Sequence, residues 1–104
     1  MTERSPAEIA ASVNRALWGE VSDSLRSVQF RAVGDRIELR FFFEGNPGDD
    51  DQEALGFVGA EVAADFADAT VSEEAVSTAL ESDIPCRDGW HTAYARREAT
   101  LART

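Results

Sequence analysis

The sequence predicts an α+β fold: a two-layer sandwich with an antiparallel four-stranded sheet and two helices on one face, in the chain order αββαββ. Three observations predict it. Apolar residues recur at helical spacing near the N-terminus and again after residue 50, strict alternation runs through residues 28–43 on both sides of Gly34-Asp35, and two further strand-like stretches follow. At 104 residues and 43% hydrophobic, the chain is sized for a single domain over 1–104 with a small core, and residues 99–104 are expected to fray.

The first helix is announced by Ser5-Pro6-Ala7-Glu8, which has the form of a capping box with proline at the first helical position. Ile9, Val13, Ala16 and Leu17 then share one face, and Gly19 is the expected stop. With Gly34 and Asp35 as loop residues of a hairpin, Ala32 faces Ile37, Phe30 faces Leu39 and Val28 faces Phe41. The opposite face pairs Arg31 with Glu38 and Gln29 with Arg40, as on a solvated surface, each good pair contributing roughly 0.2 to 1 kcal/mol. Both faces therefore support one register.

Gly45-Asn46-Pro47-Gly48 is a dense turn signal, after which a second helix is expected from Asp49 or Asp50 to about Phe66. Leu55, Val58, Val62 and Phe66 mark its buried stripe, and Gly59 and Ala63 beside the stripe let the helix sit close to the sheet. A third strand is predicted from Ala69 to Ser72, and Glu73 to Glu81 reads as strand with a bulge or as a short helix, strand being favoured. Asp83-Ile84-Pro85 breaks the pattern, and a last strand over 89–97 is expected to place Trp90, Thr92 and Tyr94 on one side.

The charge distribution is the sharpest feature. The net charge is -10, from 20 acids and 10 bases, and every base is arginine. Residues 41–86 contain twelve acids and no base, so this segment carries -12 while the remainder carries +2. On the second helix Asp50, Glu53, Glu61, Asp65 and Asp68 line one side with Phe57 in their midst. An aromatic among carboxylates is a candidate anchor for a cationic partner, and Glu73 and Glu74 extend the same region. The plainer alternative is a solvated helix face whose early aspartates complement the helix dipole. A chain so acidic repels nucleic-acid phosphates and anionic lipid, so neither is an expected partner.

Several chemistries lack their residues. Counted from Asp49, an EF-hand loop meets Ala54 at its sixth position and Ala60 at its twelfth, so the motif fails. Cys86 and His91, with Asp83 and Asp88 nearby, are too few for a structural zinc site. No phosphate-binding glycine loop, nucleophile elbow or dinucleotide fingerprint occurs. No catalytic, cofactor-binding or metal-ligating residue is therefore assigned, and an enzyme is not expected. Phe42, Trp90 and Tyr94 suggest a second reading, a small-ligand or regulatory binding groove on the sheet. Trp18 reads either as a hydrophobic staple or as part of a surface patch. The N-terminus lacks a basic region followed by an apolar one, no run is long enough to span a membrane, and the single cysteine excludes an internal disulfide. A cytoplasmic protein is expected.

Two stretches carry a resemblance. Arg15-Ala16-Leu17-Trp18-Gly19-Glu20-Val21-Ser22 with Leu25-Arg26-Ser27-Val28, and Glu61-Val62-Ala63-Ala64-Asp65-Phe66, resemble a family of short acidic bacterial proteins. Some of its members are immunity proteins of polymorphic toxin or contact-dependent growth inhibition systems. The likeness covers roughly residues 9–97. It implies a cognate toxin domain as partner, a basic nuclease being the kind an acidic protein fits, and immunity by occlusion. It supplies no binding residues, so the candidates remain Asp50, Glu53, Phe57, Glu61, Asp65, Asp68, Glu73 and Glu74.

Overall fold

The computed structural model describes residues 5–98. Its elements are α1 (Pro6–Ala16), β1 (Leu25–Val33), β2 (Arg36–Glu44), α2 (Asp49–Asp65), β3 (Thr70–Thr78) and β4 (His91–Ala95). The capping box forms as predicted: the Glu8 amide donates to Ser5 Oγ at 3.1 Å, and the Ser5 amide donates to Glu8 Oε1 at 3.0 Å. Ile9 and Val13 are buried along α1, Leu17 is buried at its C-terminal cap, and the chain turns through Gly19.

The hairpin has the predicted register. Val33 lies opposite Arg36, Ala32 opposite Ile37, Phe30 opposite Leu39 and Val28 opposite Phe41, while Arg31 faces Glu38 and Gln29 faces Arg40. Gly34 takes φ +61° in the turn, the left-handed region where a side chain is strained. At the far end a bulge at Arg26 shifts the pairing, so that Leu25 opposes Phe43 and Ser27 opposes Phe42.

The expected all-antiparallel sheet is not what forms. The sheet is mixed, with strands ordered β3-β2-β1-β4, and β3 runs parallel to β2. The reason is the helix between them. Seventeen helical residues span about 25 Å, close to the roughly 30 Å of a nine-residue strand, so α2 returns the chain to the hairpin end. There the Thr70 amide donates to the Asp35 carbonyl at 2.8 Å, and β3 starts beside the start of β2. Strand, helix, strand is the crossover unit that parallel pairing requires.

The last strand also departs from expectation. It pairs with β1 on the other edge, and a register shift opposite Val28 and Gln29 leaves Ala93 as an extra residue. Thr92 therefore pairs with Gln29 on the outer face, while Tyr94 pairs with Val28 on the helix side and packs against the core. Trp90, Thr92 and Tyr94 do not share one side.

The core lies between helices and sheet. Ile9, Val13 and Leu17 meet Val28, Phe30, Ile37, Leu39, Phe41 and Phe43 from the strands and Leu55, Val58 and Val62 from α2. The predicted α2 stripe is present, with Phe66 partly buried at its end. Gly59 leaves the space that the Glu73 carboxyl end occupies, so a side chain there would have to displace that flexible end.

The outer face is less solvated than its alternation suggests. Residues 79–90 connect the two edge strands, and groups opposite the helices bond to this connection: Gln29 Nε2 donates to the Pro85 carbonyl at 2.8 Å, and Gln29 and Ser27 are buried. Phe42, expected as a contact surface, is only 3% exposed. Arg26 is buried as well, and its guanidinium makes five hydrogen bonds: two to Glu98, one to Thr78 Oγ1 and one each to the Ala79 and Ser82 carbonyls. No helix among the described residues is long and apolar enough to cross a membrane.

Candidate partner-binding surface

The exposed side of α2 is set by its buried one. Leu55, Val58 and Val62 form the buried stripe, and Asp50, Glu53, Phe57 and Glu61 fall to one side of it, from its border to the outer face. All four are exposed, and Phe57 retains 58% of its accessible surface. The helix starts on Gly48, with Asp49, Asp50 and Asp51 in its first turn, where negative charge complements the free amides. Asp51 has a local role: its Oδ2 accepts from the Gly48 amide at 3.3 Å and from Ser24 Oγ at 3.2 Å.

Tertiary structure divides the twelve acids in a way the linear sequence hides. Asp65 turns toward α1, where its Oδ2 accepts from Ser12 Oγ at 2.7 Å and pairs with Arg15. Glu74 pairs with Arg40 at 3.0 Å, and Glu44 with Arg96 at 3.1 Å. Arginines from outside the base-free segment thus neutralise three of its acids. Among the described residues no base pairs with Asp50, Glu53 or Glu61. Asp68 lies beyond the helix, is exposed, and has an interaction of its own.

Glu73 is a separate case. It pairs with Leu39 on the helix side of the sheet, and its carboxyl group ends against α2 in the gap that Gly59 leaves. Glu73 remains exposed as a residue, and the partial desolvation of its carboxyl against α2 pushes it above the ordinary carboxylate value. The folded chain therefore holds this proton to higher pH than the unfolded chain does. The group's contribution to stability is present below the ordinary value and is lost as pH rises through the raised one. Glu73→Gln is accordingly expected to raise the melting temperature at pH 7, and the gain is expected to vanish near about pH 4, where the wild-type residue is itself protonated. Thermal unfolding of both proteins across that range checks it; an equal gain at both pH values would assign it to packing instead.

The sheet side does not assemble the aromatic groove considered from sequence. Trp90 is 9% exposed and lies beneath Arg31 and Arg40, whose guanidinium carbons sit 4.8 and 4.5 Å from its ring centroid. Tyr94 is on the other face. His91 stacks on Phe30 with centroids 5.2 Å apart, and Cys86 is exposed with Sγ 3.5 Å from the Trp90 carbonyl oxygen. Among the described residues no group of three His, Cys, Asp or Glu side chains comes together to hold a metal ion.

Trp18, read from sequence as either a staple or part of a surface patch, is not packed as a staple, and Arg26 was assigned no role. Trp18 is 84% exposed in the turn after α1, the most exposed large apolar side chain described. Its signal was position: it falls one residue past Leu17, which ends the buried face of the helix. Arg26 gave no signal, because a bulge cannot be read from alternation.

With this geometry in place, the comparison with protein families is decisive. The MafI2 immunity protein family matches residues 6–98, nearly the whole chain. The chain belongs to the MafI2 immunity protein family. A search of curated proteins gives no match. Membership agrees with the resemblance drawn from the α1 and α2 motifs, and it implies a cognate toxin as the partner of a MafI2 immunity protein. The matched residues run from the first residue of α1 to Glu98, the carboxylate that anchors Arg26.

Proposed function

We propose that the chain neutralises a basic cognate toxin domain, a nuclease, by seating the outer side of α2 in the cleft that otherwise receives nucleic-acid phosphates. The observation that carries this reading is the trio Asp50, Glu53 and Glu61, unpaired among the described residues and arranged around exposed Phe57. Carboxylates spaced along a helix offer a phosphate-binding cleft the charge it is built to hold, and Phe57 adds an apolar anchor at their centre. Asp65, Asp68, Glu73 and Glu74 form the periphery, some already engaged within the fold. Immunity is then occlusion of the active site, without chemistry, in the cytoplasm where the toxin arrives.

The test is calorimetry against the toxin domain encoded beside this chain, combined with a nuclease assay. A stoichiometric complex is expected, with nuclease activity titrated to zero at one equivalent and affinity weakening as salt rises. A neighbouring product without a toxin domain, or one that does not bind, overturns the reading.

A further inference from the structure

We propose that the toxin-binding surface extends across both helices and that Trp18 is its second aromatic anchor, received by an apolar pocket bordered by basic residues on the toxin domain. The proposal rests on the reading above and adds a residue and a partner chemistry to it.

The placement follows from packing. Leu17 and Glu20 meet Asp51, Ala54 and Leu55 around one small hollow floored by Leu25, Phe41 and Phe43 of the sheet. The turn that carries Trp18 therefore lies against the N-terminal half of α2. Ala54 is one helical turn from Phe57 and on the near side of the helix. Trp18 and Phe57 are thus both exposed on the helical layer, Trp18 in the turn that packs on α2 and Phe57 on α2 itself, and the same two segments carry Glu20, Asp50, Glu53 and Glu61.

Exposure and charge then select the occupant. A tryptophan 84% exposed leaves a large apolar surface in water, and tryptophan is among the residues that most often dominate interface energetics. A second copy of this chain is a poor occupant, since it would bring acids onto acids in a protein of net charge -10. A basic partner satisfies both features: its cations meet the carboxylates, and an arginine at the pocket rim gains a ring face to stack on.

The experiment uses the full chain and the toxin domain encoded beside it. Trp18→Ala is expected to weaken the complex about 30-fold or more, the loss typical of an interface hot spot, with an unchanged melting temperature because the side chain is not packed. Trp90→Phe leaves Trp18 as the sole tryptophan, and its emission is expected to shift to the blue when the toxin domain is added. Wild-type affinity for Trp18→Ala together with unshifted emission, in a complex that still forms, overturns the proposal and leaves the α2 reading standing. No complex with any variant overturns both. A homodimer in sedimentation that Trp18→Ala dissociates, with toxin affinity unaffected, also overturns it, because the occupant is then a second copy.

Discussion

Glu53→Lys combined with Glu61→Lys slows association with the toxin domain by roughly 10-fold or more at low salt and leaves the fold intact. Neither carboxylate has a partner among the described residues, so reversing them breaks no internal contact. What changes is the field that an approaching basic surface meets, and long-range fields act chiefly on the association rate. The difference between variant and wild type is expected to shrink as ionic strength rises, because screening over about 8 to 10 Å removes steering from both. Stopped-flow association at a series of salt concentrations measures it, and equal rates at low salt would move the interface off this face. Asp65→Asn is the instructive contrast. That carboxylate already joins Arg15 and Ser12, so its loss is expected to loosen the contact between α1 and α2 and to alter association little.

The contrast between Asp65 and Glu61 marks the limit of what the sequence discloses about the site. Helical spacing is enough to line both along one side of α2, and the segment without a base is visible by inspection. Which acids remain unneutralised depends on where Arg15, Arg40 and Arg96 are brought by the fold, and those contacts span 34 to 52 residues. The same division holds for the architecture. The hairpin register was legible because a slip of one residue would have moved Val28, Phe30, Leu39 and Phe41 off the core. The direction of β3 was not legible from its own residues, since alternation says which face is buried and nothing about the neighbouring strand. The helix preceding it held that information. Gln29 and Ser27 read as solvated because polar residues alternate there, and what covers them is the aperiodic connection 79–90. One extra residue at Ala93 sufficed to send Tyr94 to the opposite face from Thr92.

Arg26→Ala is expected to be the most destabilising single substitution outside the apolar core. The guanidinium is 4% exposed and every one of its N–H groups is engaged, joining the β1 bulge to the end of β3, to the connection 79–90 and to Glu98 after β4. Truncation leaves the Ala79 and Ser82 carbonyls and Thr78 Oγ1 without this donor and leaves Glu98 with Arg96 alone, beside the buried stem of β1. Breaking such a buried pair from one side costs about 3–5 kcal/mol, which for a chain of this size lowers the melting temperature by roughly 15 °C or more. Arg26→Lys keeps the charge and loses the planar fork, so an intermediate cost is expected. The pH dependence gives an independent check. Arg26, and then Arg96, hold the Glu98 carboxyl down at about 2, below its ordinary value of 4.5. A depressed carboxylate stabilises the fold above the ordinary value, and that contribution is lost as pH falls from 4.5 toward 2. Urea unfolding across this window is expected to show a steeper acid decline for the wild-type protein than for Arg26→Ala. Parallel declines, or a cost below about 1 kcal/mol at pH 7, would mean that water replaces the guanidinium and that the connection is held by other contacts. Because the knot is built from β1, the end of β3 and the chain after β4, and not from α2, the fraction of Arg26→Ala that remains folded should bind the toxin domain with wild-type affinity. If α2 is the recognition surface, as proposed, stability and recognition are separable in this fold.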